Sequence, residues 1–239
     1  MSTFKLFFSI KYYNLKEYLR VIFRLYRNFS FCCIDLMLLL PYLCINPYRS
    51  CRKWGEKEKK TTHIYGETPL TTMETIAKNC SITSQDTVFE LGSGRGRTSF
   101  FLHSFFGCSV IGIEEVPIFI HIAKCIKRLF RLQKISFRKE DFLQTNLSSA
   151  THIYLYGTLL SNEEITQFLK NPTLNKKTKM ITISYPLSEF SQDWKIESSF
   201  RVSFPWGRTE GFLNTRRVLH TVEPFDRHIK KQPDDAFYL

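Results

Sequence analysis

A chain of 239 residues with 43% hydrophobic and 15% aromatic side chains is too apolar to be disordered, and it is long enough for one α/β domain plus an appendage. Its formal charge of +12 is uneven: residues 1–60 hold twelve Lys/Arg against four Asp/Glu, so the domain that follows is only mildly basic. The seven cysteines (32, 33, 44, 51, 80, 108 and 125) form no Cys-x-x-Cys pair and meet no His at zinc-ligand spacing, which leaves no metal site and reads as reduced thiols of a cytoplasmic protein.

Residues 4–28 have the spacing of a basic amphipathic helix. Lys16, Arg20, Arg24 and Arg27 recur at helical intervals, and Leu15, Leu19, Ile22, Phe23 and Tyr26 supply an apolar face. An apolar run from Phe31 to Ile45 follows, broken by Asp35 and Pro41. It is shorter than the roughly 20 residues a spanning helix needs. Three readings stay open for this segment: a helical cap on the domain, a membrane-surface attachment, or a span. Trp54 to Lys60, charged and glycine-containing, reads as a linker. The expected organisation is an N-terminal segment over 1–60, a domain over 61–222 and a polar tail over 223–239.

After the linker, Tyr65-Gly-Glu-Thr68 precedes a helix from about Thr71 to Asn79. Thr68 has the character of its cap, with Pro69 in the first turn. The alternative is that Tyr65, Gly66, Glu67 and Thr68 close over a ligand.

The central stretch runs from Thr87 to Arg97. Val88 and Phe89 belong to a short strand that ends at the acid Glu90, and Gly92, Gly94 and Gly96 alternate directly after it. Such glycines let the backbone turn sharply and approach a ligand, with helix N–H groups aimed at it. The spacing differs from the Gly-x-Gly-x-x-Gly that seats a pyrophosphate. A carboxylate at this place repels a diphosphate and suits a ligand with positive charge.

A crossover helix from Arg97 to Phe106 leads to a second strand, Ser109 to Glu114. An acid at that strand end accepts hydrogen bonds from ribose hydroxyls in nucleotide-type α/β folds. Alternation along the strand favours Glu114 over Glu115 for the crevice. A helix opens at Pro117, and Ile135 to Lys139 is the third strand. Beyond it, Asp141 is suited to an adenine amino group and Phe142 to the ring face. His152 to Tyr156 is a fourth strand, Asn162 to Lys170 a helix and Lys179 to Ser184 a fifth strand. Phe200 to Phe204 and Gly211 to Thr221 flank Pro205-Trp-Gly207 as an antiparallel hairpin.

The stretch Glu90-Leu-Gly-Ser-Gly94 resembles motif I of the class I S-adenosylmethionine-dependent methyltransferases. With Tyr65-Gly-Glu-Thr68, Gly112-Ile-Glu114, Asp141-Phe-Leu143 and a hairpin Trp206, the order resembles the Dot1-type (non-SET) lysine methyltransferases over residues 64–221. That resemblance implies a Rossmann-like α/β fold with a seven-stranded, mostly parallel sheet, a C-terminal antiparallel hairpin and a helical N-terminal segment. It implies S-adenosylmethionine as cofactor, contacted by Glu67, Thr68, Glu90, Gly92, Gly94, Gly96, Glu114, Asp141 and Phe142, and a lysine of a protein as acceptor. Tyr65, Tyr156, Trp206 and Phe212 would line the acceptor channel. Tyr156-Gly157 stands where the histone enzymes carry an asparagine pair, and Phe212-Leu213 where they carry tyrosines, so histone as substrate does not follow. RNA is the alternative acceptor, favoured by net charge but lacking an Asn/Asp-Pro-Pro-Tyr-type motif after the fourth strand. A non-catalytic cofactor-binding module is the third reading. The N-terminal segment adds a peripheral membrane contact to the expected partners.

Overall fold

The computed structural model describes residues 3–58, 65–158 and 160–217. The expected tail over 223–239 and the end of the second hairpin strand lie outside these residues, as do the last two residues of the expected linker. A seven-stranded sheet forms the centre, in the order β3-β2-β1-β4-β5-β7-β6. Strands β1 (Thr87–Leu91), β2 (Ser109–Glu114), β3 (Ile135–Lys139), β4 (His152–Leu155) and β5 (Lys179–Ile183) are parallel. The last two, β6 (Trp194–Phe204) and β7 (Gly207–Arg216), form the expected hairpin, and β7 runs antiparallel to β5. Trp194 to Ser199 extends the first hairpin strand beyond the Phe200 start that the sequence indicated.

Both faces of the parallel strands are covered, so their side chains alternate between two apolar layers. In β1, Val88 joins one layer, and Phe89 and Leu91 join the other. The first layer holds α4 (Leu70–Asn79), α5 (Arg97–Phe106) and α6 (Pro117–Leu129). The second holds α7 (Asn162–Leu169), whose Ser161 and Glu164 form a reciprocal capping box.

The N-terminal segment is three helices: α1 (Thr3–Arg24), α2 (Phe29–Leu39) and α3 (Pro47–Lys57). The single helix expected through residue 28 stops earlier because Asn28 caps α2, its side chain accepting from Phe31 N at 3.1 Å. Asn46 caps α3 in the same way, with Pro47 in the first turn. The linker expected from Trp54 is therefore helical through Lys57.

These helices share the domain's core. Val21, Leu25, Phe31, Ile34 and Leu38 are buried in the first layer, and the Phe31 ring meets Phe101 and Phe105 edge-on at 5.8 and 5.2 Å. Glu17 of α1 accepts from the Thr71 backbone N–H at 2.9 Å and from the Thr71 hydroxyl. A residue from α1 thus satisfies the N-terminal donors of α4, and Thr68, expected as its cap, hydrogen-bonds the Tyr154 hydroxyl at 2.6 Å instead.

Candidate functional site: a cavity at the glycine-rich turn

The loops after β1, β2, β3 and β4 surround a cavity of about 410 Å³ at the C-terminal edge of the parallel strands. Open α/β sheets bind ligands in that crevice. Of the residues singled out from the sequence, Tyr65, Gly92, Gly94, Glu114, Phe142, Tyr156 and Trp206 line it. Glu67, Thr68 and Glu90 line a small adjoining cleft of about 30 Å³, which shares Gly66, Leu91, Gly92, Gly94 and Tyr156 with the main cavity. Asp141, Gly96 and Phe212 line neither.

All three loop glycines adopt left-handed backbone angles, φ 73°, 53° and 79°. They do different work. A Cβ on Gly92 would meet nothing within 4 Å, so that backbone faces open cavity. A Cβ on Gly94 would come within 3.3 Å of the Tyr65 ring, and one on Gly96 within 2.6 Å of Phe137. Gly96 is therefore demanded by the packing of the turn against Phe137 of β3.

Glu90 is buried beneath the turn and receives the hydroxyls of Thr98 and Ser99 from the first turn of α5. Burial pushes its carboxyl up to about 7; the two hydroxyls oppose the shift, and Glu67 and Glu114 add to it. No described cation pairs with Glu90. A cationic group entering the cleft would supply the missing counter-charge.

Glu114 is held from behind by three backbone donors: Gly94 N at 2.8 Å, Glu115 N at 2.9 Å and Val116 N at 2.8 Å. Burial raises its pKa, against the pull of those three N–H groups. Glu115 lines the cavity as well. The alternation argument ends with the strand, which closes at Glu114, so both residues line the crevice. Asp141, expected at the ligand, instead accepts from Leu143 N at 2.9 Å and shapes the turn, while its neighbour Glu140 lines the cavity.

Arg95 was not legible in the sequence. Its guanidinium donates to both Glu67 oxygens, at 2.6 and 2.5 Å, and to the Tyr65 hydroxyl at 2.7 Å. Burial disfavours the Glu67 carboxylate, yet Arg95 holds its pKa below the usual range. Arg97 in turn forms a two-pronged pair with Asp35 of α2, both contacts at 2.7 Å, and Tyr26 donates to the same carboxylate at 2.9 Å. The turn is clamped from behind by the N-terminal helices.

Part of the cavity wall is aromatic. Tyr156 and Trp206 line it side by side, the Trp206 indole N–H donating to the Tyr156 hydroxyl at 2.9 Å, and the buried Phe204 ring stacks against both, with centroids 5.1 and 5.3 Å away. Trp206 is 46% exposed and forms the rim. Behind Gly157, which has φ 42°, the buried Tyr185 hydroxyl has no partner among the described residues, and a Cβ at Gly157 would collide with it. Only the missing side chain at position 157 pointed to this space.

The sheet order and the crevice define a class I methyltransferase architecture. Solved structures similar in fold include an RNA methyltransferase from Salinibacter ruber with S-adenosyl-L-homocysteine (16% identity, 66% of this chain and 99% of that chain, TM-score 0.51). The B. subtilis M1A22 tRNA methyltransferase TrmK is similar at 17% identity over 61% of this chain and 65% of that one, TM-score 0.52. The mitomycin 7-O-methyltransferase MmcR is similar at 17% over 62% and 54%, TM-score 0.51. The chain thus spans about half to two thirds of the length of the last two. Among curated protein sequences nothing matches. The family described as histone methylation protein DOT1 matches residues 49–174, more than half of the chain, and the chain belongs to that family. It is a methyltransferase that uses S-adenosylmethionine.

The cavity fits that cofactor on its own terms. Glu90 lacks a counter-charge, the Gly92 backbone faces open space, the Ser93 hydroxyl beside the cleft has no described partner, and Glu114 presents a fixed carboxylate.

Proposed function

We propose that this protein methylates a lysine side chain of another protein. The observation that carries the reading is the hydrogen-bonded aromatic pair Tyr156 and Trp206 that lines the same cavity as the glycine-rich turn, backed by the buried Phe204 ring. Glu90 would hold the cofactor's amino group, Gly92 and Gly94 would let it lie against the turn, Glu114 would accept from the ribose hydroxyls, and Phe142 would cover the adenine. Bound there, S-adenosylmethionine supplies a methyl group on a sulfonium for in-line displacement.

The chain's own part is positioning, which is worth several kcal/mol in such a transfer. The exposed face of Trp206 attracts a lysine ammonium at the rim. Further in, beside the half-buried Tyr156, an amine that fills the cavity would be desolvated, which favours its neutral form, the one that carries a free lone pair. The Trp206–Tyr156 hydrogen bond fixes the two rings relative to each other. RNA as acceptor has behind it the net charge, which is concentrated in residues 1–60, and fold similarity to RNA-modifying neighbours that share 16–17% identity with this chain.

The test is transfer of labelled methyl groups from S-adenosylmethionine into fractionated lysate by the full chain. Label recovered as methyllysine in protein hydrolysates is the expected result. Label confined to RNA overturns the acceptor and leaves the cofactor site standing.

A further inference from the structure

Helix α1 has two faces of opposite purpose. The inner one carries Tyr13, Glu17 and Val21, which bind Ser203 O at 2.8 Å, the start of α4 and the core. On the far side, at helical spacing, Tyr12, Leu15, Leu19, Ile22 and Phe23 form an apolar stripe that nothing described covers, with Phe23 70% exposed. Among the described residues, fourteen of the eighteen large exposed apolar side chains lie between Phe7 and Tyr48, and the other four are scattered over the rest. A contiguous apolar surface of this kind marks an interaction site.

The charges around the stripe say what kind. Lys16 and Arg20 border it on one side and Lys11 on the other, while Glu17, the one acid of α1, is turned inward. Beyond the Arg20 border lies a groove of about 380 Å³ where Arg20, Arg24, Lys78 and Arg201 converge and Glu74 is the single acid. No single described helix is long and apolar enough to cross a membrane; α2 and α3 with the turn between them pass by length and composition only as a pair bent by 64°.

We propose that α1 lies flat in the headgroup layer of an anionic phospholipid membrane. The stripe from Tyr12 to Phe23 sinks toward the acyl chains, and the basic borders and the groove meet lipid phosphates. This is how helices with an apolar stripe and a basic polar face bind bilayers. Self-association through the same stripe would bring basic borders against each other, so a second copy is the poorer occupant. The cap and the membrane contact are then two faces of one helix, and the proposal does not depend on the identity of the methyl acceptor.

Flotation of the full chain with phosphatidylcholine vesicles, with and without phosphatidylserine, tests this. Binding to the phosphatidylserine vesicles is expected at low salt, falling on the order of tenfold as salt is raised through the screening range. Leu19→Asp with Phe23→Asp should abolish flotation while leaving the urea midpoint and cofactor affinity unchanged, because neither side chain touches the core. Lys16→Glu with Arg20→Glu should remove the preference for phosphatidylserine. The proposal is overturned if the wild-type chain stays with the buffer at low salt, if the aspartate pair floats as well as wild type, or if that pair abolishes only self-association in sedimentation.

Discussion

The two walls of the cavity are built on different principles. The turn side is charged, buried and over-determined: three left-handed glycines, Glu90 and Glu114 held by hydroxyl and backbone donors, and the Arg95–Glu67 and Arg97–Asp35 pairs behind them. The hairpin side is a pair of rings, Tyr156 and Trp206, joined by one hydrogen bond and laid on the buried Phe204, and the Trp206 ring is half in solvent. A fixed electrostatic wall suits a ligand whose charges never vary, and an adaptable aromatic wall suits the part of the site that selects an acceptor. The contrast teaches that damage to the first wall should remove cofactor binding, whereas damage to the second should remove transfer alone.

Breaking the clamp gives the largest expected effect. Asp35→Ala leaves the buried Arg97 guanidinium without its anion, which costs about 3–5 kcal/mol in unfolding by urea and loosens the turn. A loss below about 1 kcal/mol would show that the N-terminal helices do not hold that wall. Next in size is Glu114→Ala, expected to cost about 1.5–3 kcal/mol of cofactor affinity in calorimetry, as for hydrogen bonds to a charged group. Glu115→Ala should cost less, since it is Glu114 whose carboxylate the turn's three backbone donors aim at the cavity; the reverse order would exchange their roles. Gly92→Val should weaken cofactor binding by placing atoms in the open cavity, while Gly94→Val should act first on the Tyr65 ring it would strike. Equal affinities in wild type and Gly92→Val would place the ligand elsewhere. The smallest effect sharpens the other wall: Trp206→Ala should lower kcat/KM by roughly tenfold through lost aromatic and cation–π contacts and leave the cofactor Kd unchanged. A shift in Kd of similar size would mean that the two walls are not separate.

Much of the first wall was legible because its determinants are local. Glycines that need left-handed angles, an acid at a strand end and alternation in short apolar strands all leave marks within a few residues of one another. Glu90, Gly92, Gly94 and Glu114 reached the cavity for the reasons their neighbours gave. What the sequence concealed is long-range. Arg95 and Arg97 look like ordinary helix-start cations until the fold brings Glu67 and Asp35 to them, and Glu17 shows no sign of capping a helix more than fifty residues later. Asp35 read as a break in an apolar run, yet it is the anion that joins that run to the turn. Asp141 shows the limit from the other side: a strand-end acid also shapes its own turn, and here Asp141 accepts from Leu143 N and is not in the cavity lining, while Glu140 is.

The central claim is that Glu90 carries the counter-charge for a cationic ligand. Burial raises its carboxyl from the ordinary range to about 7. A raised carboxyl favours the folded state at low pH, and that contribution is lost as pH rises through about 7; a cation in the cleft restores it by lowering the pKa. Binding therefore releases a proton below about pH 7. Calorimetric titration of S-adenosylmethionine into the full chain between pH 6 and 8, in buffers of different ionisation enthalpy, measures this directly. The account predicts that wild-type affinity rises with pH by up to about tenfold per unit below 7 and then levels, with a proton released on binding at pH 6, and that Glu90→Gln binds weakly with a flat profile. Identical pH profiles for the two proteins, with no proton released by either, would contradict it.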